Sequence, residues 1–164
     1  WKNKKQIKVF ADKRTLKVLM DKHDYCFYGG QGYIPIMNGN LIKKKFTLKK
    51  KNTKITFNSF PVDHGQIKSS AYIFNNIAYL SDCNGVNVKN FKDLKNLKYL
   101  IIDSLKIQAH PSHFNLDQAI KLSYLIKPKK TILTNLHTDL DYNFLKKILP
   151  KNIVPAYDGM VLKT

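Results

Sequence analysis

Two residues that can bind a metal ion, His64 and Asp82, each follow a strand-like run of the sequence. A neutral imidazole nitrogen suits zinc and similar divalent ions, and a carboxylate can bridge two ions because its oxygens accept independently. Gly65 lets the chain turn sharply directly after His64. The pair therefore predicts part of a hydrolytic metal site, with an exposed loop histidine and a turn-capping aspartate as the ordinary alternatives.

A second histidine-rich stretch runs from His110 to Asp117. Pro111 disfavours helix at the residue before it, so we expect His110 in a loop and the next helix to begin at Ser112 or His113. A histidine at the mouth of a site can act as a general acid that protonates a leaving oxygen. The alternative is that Ser112 only caps the helix and that the histidines are exposed.

A third stretch, Thr134 to His137, follows another strand-like run. His137 is a candidate third metal ligand, and Asp141, one helical turn further on, is a candidate partner that fixes its imidazole. Asp158 and Gly159 form the dipeptide that is typical of hairpin turns, which favours a structural role. Nucleophilic catalysis is less well supported, because no Gly-x-Ser-x-Gly motif is present and neither cysteine has an activating basic neighbour.

The elements that must position these side chains are mostly strands in the first half and alternating strands and helices in the second. Strands are predicted at residues 7–11, 53–60, 69–74, 76–80, 97–102, 131–136, 153–157 and 160–163. Helices are predicted after Asp12 or Thr15, at residues 113–126, and from Thr138 or Asp139 to residue 148. The polar candidates follow strand ends, where α/β folds place ligand sites; they are Asp63, His64, Asp82, Asp103, Asn135, His137 and Asp158. This pattern predicts one α/β domain with mixed sheets over residues 1–164.

The composition is that of a globular domain, with 164 residues of which 43% are hydrophobic and 12% aromatic. No apolar run approaches the ~20 residues of a membrane-spanning helix. Cys26 and Cys83 lie far apart and outside any C-x-x-C pattern, so we expect reduced thiols in a cytoplasmic protein. The net charge of +18 comes almost wholly from lysines spread along the chain. This argues against nucleic acid as a partner but favours a small phosphorylated substrate.

The order of these motifs resembles the metallo-β-lactamase-fold hydrolases of the phosphoribosyl cyclic phosphate phosphodiesterase type. The resemblance covers nearly the whole chain and implies a partial metallo-β-lactamase-like αββα sandwich, with mixed β-sheets and flanking helices. It rests on five motifs in sequence order, Val62-Asp63-His64-Gly65, Ala78-Tyr79-Leu80-Ser81-Asp82, His110-Pro111-Ser112-His113-Phe114-Asn115-Leu116-Asp117, Ile132-Leu133-Thr134-Asn135-Leu136-His137 and Pro155-Ala156-Tyr157-Asp158-Gly159-Met160.

The resemblance implies a metal-dependent phosphodiesterase that hydrolyses a cyclic or other small phosphate ester. It implies His64 and Asp82 as metal ligands, with Asp82 bridging two divalent ions, Zn or Mn, in the full-length protein. It implies His113 as the catalytic histidine and Asp158 as a structural acidic turn near the site. The family's last ligand directly follows Leu-Thr, where this chain has Asn135, so we assign that ligand to His137 two residues later.

The family's His-x-His-x-Asp-His motif is absent from this chain, which resembles the part of the fold that follows it. We therefore expect Trp1 to be an internal residue of a longer protein, and the domain to be truncated at its amino terminus. With about half of its ligands, the site is expected to bind metal weakly and turn over slowly. Two other functions stay open, a non-catalytic basic module that binds nucleic acid and an inactive remnant of the hydrolase. The sequence also leaves a homodimer open.

Overall fold

A computed structural model describes residues 5–163 of the chain, which divides into two compact units, Trp1–Phe46 and Thr47–Thr164. Trp1 lies outside the described residues, so the expectation about it stays a prediction. The single truncated domain that the sequence suggests stays a prediction. Across residues 5–163, no helix combines the length and the apolar character needed to cross a bilayer.

The first unit contains two parallel strands and two helices. Strand β1 (Ile7–Ala11) pairs in parallel with β2 (Met37–Leu41), and both helices lie between them in the sequence. Helix α1 (Lys13–Lys22) begins directly after Asp12, whose carboxylate accepts hydrogen bonds from two backbone amides of the first turn. The short helix α2 (Asp24–Phe27) follows it. The predicted first strand and the cap at Asp12 are therefore confirmed.

The second unit is built on a seven-stranded mixed sheet in the order β3-β4-β5-β6-β7-β8-β9. β4, β5 and β6 form antiparallel pairs, whereas β6 to β9 are parallel neighbours. Because β5 runs opposite to both β4 and β6, the carboxyl ends of β4, β6, β7 and β8 meet at one edge of the sheet. The strands are β3 (Lys45–Lys50), β4 (Thr53–His64), β5 (Ile67–Phe74), β6 (Ile77–Leu80), β7 (Tyr99–Asp103), β8 (Lys130–Thr134) and β9 (Ile153–Pro155).

Helical segments connect the parallel strands, which cannot be joined by tight turns. A 3₁₀ segment, Val88–Leu94, lies between β6 and β7, and α3 (Leu116–Ile126) lies between β7 and β8. The sequence predicts that α3 begins at residue 112 or 113, and this prediction is wrong. Asn115 and Gln118 form a capping box, in which each side chain bonds the other's backbone amide, so the helix begins after Asn115. His113 consequently lies in the loop before α3.

Two further boundaries differ from the prediction near the carboxyl terminus. Helix α4 (Tyr142–Ile148) begins after Asp141, whose carboxylate accepts from the third amide of the helix, and not after Thr138 or Asp139. The predicted strand at residues 160–163 does not form. The predicted hairpin between β5 and β6 is confirmed, since Asn75 and Asn76 have φ values of +45° and +59°.

The core of the second unit packs around the central strands β6, β7 and β8. Leu80, Leu100, Ile102 and Leu133 are fully buried, and they share one apolar cluster with side chains of α3. Burying each such side chain contributes about 1.5–3 kcal/mol. Asp103, also fully buried, directly follows these apolar residues of β7. The strand therefore carries a carboxylate to the place where the strand ends meet.

Candidate metal centre

Three side chains with metal-binding groups come together where β4 and β6 end. His64 is the last residue of β4, Asp82 lies two residues after β6, and His113 lies in the loop before α3. One ligand atom of each lies within 4.8 Å of those of the other two. The two histidines are half-buried and Asp82 is exposed. We call these three residues the converging group.

The imidazole of His64 is oriented by the loop that carries His113. His64 Nδ1 lies 2.8 Å from the Ser112 carbonyl oxygen. Because a carbonyl oxygen only accepts, Nδ1 carries the hydrogen and Nε2 keeps its lone pair. The His64 and His113 rings meet edge to face, with centroids 4.8 Å apart. The Nε2 atom of His64 is thus the one available to a metal ion.

The imidazole of His113 is oriented by Asp103 at the end of β7. His113 Nδ1 lies 2.6 Å from Asp103 Oδ2, and the same oxygen accepts a 2.9 Å hydrogen bond from the Cys83 amide. The side-chain amide of Asn135 donates to Asp103 Oδ1 at 3.3 Å. Three partners thus offset the cost of burying this carboxylate. Because Nδ1 donates to Asp103, the Nε2 atom of His113 is free to bind another group.

Burial is the main influence on ionisation around this cluster. It raises the pKa of Asp103, against which the hydrogen bonds from the Cys83 amide and His113 act without reversing the shift. Burial also raises the pKa of the Cys83 thiol, and the nearby carboxylates of Asp103 and Asp82 add to this shift. Cys83 is therefore a thiol rather than a thiolate nucleophile at neutral pH. Burial, followed by the charge of His113, lowers the pKa of His110, whose ring centroid lies 5.1 Å from that of His113.

Asn84 and Gly65 brace the two loops that hold the histidines. Asn84 Nδ2 donates to the Pro111 carbonyl oxygen at 2.7 Å, and Asn84 Oδ1 accepts from the Gly65 amide at 3.2 Å. Gly65 has a φ of +61°, and a Cβ atom at this position would lie 3.1 Å from the Cβ of Ser112. The backbone conformation of the turn after His64 and the close approach of the second loop therefore both favour glycine at this position.

Asn135 and His137, which follow β8, are oriented differently; we call them the β8-end pair. Asn135 has a φ of +61° and directs its amide to Asp103. His137 Nδ1 lies 3.1 Å from Asp139 Oδ1, and the His137 side chain is 60% exposed. The structure thus brings His64 and Asp82 together with His113 and leaves His137 outside the converging group. The roles assigned from the sequence, catalytic for His113 and metal-binding for His137, stay predictions.

The structure also shows the positions of Asp141 and Asp158, the two acidic residues that follow His137 in the sequence and were considered for the site. Asp141 caps α4 by accepting from the Phe144 amide at 2.8 Å. The carboxylate beside His137 is that of Asp139, so the expectation that Asp141 fixes this imidazole is wrong. Asp158 lies in the exposed turn after β9 and, like Asn135, lines a surface cavity of about 420 Å³.

The donor atoms of the converging group fit a borderline divalent ion such as zinc. Imidazole nitrogen and carboxylate oxygen are usual zinc ligands, and both imidazoles are held at the other ring nitrogen, as in metal-binding histidines generally. Bonds of ~2.0–2.2 Å place two ligands of one ion about 3–4 Å apart. The observed separations are all within 4.8 Å, so the side chains would have to move closer by about 1 Å to share one ion.

Sequence reasoning missed two groups that orient the histidines. Asp103 was expected only as one of several strand-end residues. Its position directly after the apolar residues of β7 nonetheless indicates a buried carboxylate, and a buried carboxylate requires hydrogen-bond partners such as a nearby imidazole. The Ser112 carbonyl oxygen is a backbone atom, so no residue type could have indicated its role.

Comparisons with known proteins agree with this architecture. The family model described as the beta-lactamase superfamily domain matches residues 2–135. A solved diphosphatase of the PhnP family is 25% identical with a TM-score of 0.85, over 98% of this chain and 59% of that one. Zinc-bound PqqB from Methylobacterium extorquens is 10% identical with a TM-score of 0.71, over 98% of this chain and 66% of that one, and shares the fold.

One curated relative is an octanoyltransferase of Porphyromonas gingivalis (strain ATCC BAA-308 / W83). It is 26% identical over 163 residues, which make up 95% of this chain and 32% of that protein. The chain thus spans about a third of the length of this relative and about three-fifths of that of the diphosphatase. The family match covers most of the chain, and the mixed sheet with its flanking helices agrees with it. The chain therefore belongs to the beta-lactamase superfamily and has the α/β fold of the metallo-β-lactamase hydrolases.

Proposed function

We propose that the chain is the metal-binding part of a divalent-metal-dependent hydrolase that acts on a phosphodiester, either cyclic or otherwise small. The observation that carries this proposal is the convergence of two imidazoles and a carboxylate at one edge of the sheet. Both imidazoles are held at Nδ1, by Ser112 and by Asp103, and so present Nε2. Membership of a superfamily of hydrolases supports the same reaction class.

In this proposal His64 and Asp82 hold the ion, as the sequence suggests. A bound divalent ion lowers the pKa of a water molecule and polarises a phosphoryl oxygen. The protein contributes orientation, because the Ser112 carbonyl and Asp103 fix the two imidazole rings. The net charge of +18 attracts an anionic phosphate ester to the site. Zinc is the metal for which the nitrogen and oxygen donors are best suited, with manganese as the alternative.

The name of the curated relative does not supply a second candidate function. Acyl transfer through a protein nucleophile would need an activated serine, cysteine or lysine. Both cysteines are buried, and the pKa of Cys83 is raised. No feature of the converging group favours acyl transfer over metal-assisted hydrolysis.

The test is hydrolysis of bis(p-nitrophenyl) phosphate and of a cyclic phosphate ester, each with added Zn²⁺ or Mn²⁺. We expect slow turnover that requires the metal, stops when a chelator is added and is lost in His64→Ala. His23→Ala is the matched control, since this histidine is exposed and lies in the first unit. Turnover without metal, or full turnover in His64→Ala, would overturn the proposal. Salt-dependent RNA binding without any turnover would instead support a nucleic-acid-binding module.

A further inference from the structure

His113 determines how many protein ligands an ion would find in the converging group. Its Nδ1 is occupied by Asp103, so Nε2 is the nitrogen left to bind an ion alongside the ligand atoms of His64 and Asp82. On the basis of the proposed function, we propose that this Nε2 atom is a metal ligand. The chain would then bind one divalent ion through three residues, His64, Asp82 and His113. His113 would not be a proton donor that stays free of the metal.

The loops keep His113 close to the other two ligands. The residue before it, Ser112, accepts the hydrogen bond from His64. The residue after it, Phe114, donates its amide to the Cys83 carbonyl at 2.8 Å, and Cys83 directly follows Asp82. Each flank of His113 is therefore bonded to the segment that carries one of the other ligands. A side chain held in this way loses little further conformational entropy when it coordinates an ion.

The other candidate ligands are turned elsewhere. The amide of Asn135 donates to Asp103, and the imidazole of His137 contacts Asp139 in an exposed position. Among residues 5–163, the converging group is the set of three or more metal-binding side chains whose atoms lie close enough to share an ion. Three protein ligands and one open position make up a typical catalytic zinc site. They do not supply enough ligands for two ions.

The direct test is nitrogen NMR of the full 164-residue chain with ¹⁵N-labelled histidine, titrated with ¹¹³Cd²⁺ as a spin-active substitute for zinc. We expect saturation at one equivalent, with the Nε2 resonances of two histidines, His64 and His113, split by coupling to cadmium. Splitting of a single histidine, or of His64 together with His137, would overturn the proposal. This measurement uses the unmodified chain and does not depend on catalytic activity.

A binding series separates this proposal from the proposed function. By calorimetric titration with Zn²⁺, we expect His113→Ala to lose about 100-fold or more in affinity, since even partners of a ligand are worth 10–100-fold. His23→Ala, a change at an exposed histidine of the first unit, is expected to bind as the unmodified chain does. If His113→Ala binds normally while His64→Ala does not, His113 is not a ligand and the hydrolase proposal stands. If all variants and the unmodified chain fail to bind, both proposals fail. Thermal unfolding of each variant checks that it is folded.

Discussion

The converging group and the β8-end pair lie at the same edge of the same sheet, yet only in the first do the ligand atoms of three metal-binding side chains lie within 4.8 Å of one another. His64 and His113 each donate from Nδ1 to a fixed acceptor, which leaves Nε2 as the nitrogen available to a metal ion. Asn135 turns its amide to Asp103, and His137 turns to Asp139. The strand end determines where the residue lies, and the hydrogen bond at Nδ1 determines how its imidazole ring is oriented.

The largest difference between the two regions is expected from removing one negative charge in each. Asp82→Asn keeps the size of the side chain, and asparagine tolerates the φ of +48° at this position. We expect zinc affinity to fall by about 100-fold or more, because a carboxylate ligand is replaced by a neutral amide. Calorimetric titration measures the change.

Asp139→Asn is the matched control for this substitution, since Asp139 is also exposed and contacts His137 rather than the converging group. Its zinc affinity should equal that of the unmodified chain. An equal loss in both variants would show that general surface charge, and not a local site, governs binding.

A smaller effect is expected from Asp103→Asn, which changes the orientation of a ring without removing a ligand. The asparagine can still accept the Cys83 amide, but its hydrogen bond to His113 is weaker than that of a carboxylate. We expect zinc affinity to fall by about tenfold to 100-fold, the range for partners of metal-binding histidines. Unchanged affinity with an unchanged unfolding temperature would argue that Asp103 has only a structural role.

Gly65→Ala tests whether the close approach of the loops matters, with Gly159→Ala as its control. Both glycines have left-handed φ values, +61° and +84°, but a Cβ at Gly65 meets Ser112 whereas one at Gly159 meets nothing within 4 Å. Both variants should lose about 1–2 kcal/mol of unfolding free energy from backbone strain. Gly65→Ala alone should also weaken zinc binding, because Ser112 orients His64. Denaturant unfolding and zinc titration of both variants give the comparison. Equal zinc affinities would show that the contact is unimportant.

The smallest effect is expected from His137→Ala at the β8 end. An exposed contact such as that between His137 and Asp139 contributes little to stability, because water screens it. We expect little change in unfolding free energy and none in zinc affinity or turnover. A large loss of zinc affinity would instead make His137 the third ligand, as the sequence suggests.

The difference between the two regions also explains which features of the fold and of the site could be predicted from the sequence. The strands before the candidate residues, the hairpin at Asn75 and Asn76 and the cap at Asp12 follow from local patterns, and the structure confirms them, although β4 extends to His64 and β8 ends at Thr134. The capping box at Asn115 and Gln118 was also present in the sequence, but Ser112 offered a competing cap. The presence of metal-binding residue types near strand ends was therefore predictable.

The directions of the side chains were not predictable, because they depend on contacts between residues far apart in the sequence. His64 is oriented by a carbonyl oxygen 48 positions away. Asn135 adopts a left-handed backbone conformation that directs it to Asp103, 32 positions earlier. Spacing alone gives no information on either contact, so the sequence led us to assign a metal-binding role to His137 and a catalytic role to His113.

The most direct test of the metal centre is anomalous diffraction at the zinc edge from crystals of the chain grown with zinc. We expect one peak about 2.0–2.2 Å from His64 Nε2, His113 Nε2 and an Asp82 carboxylate oxygen. A peak only at the exposed His137, or no peak between the three residues at saturating zinc, would contradict the account.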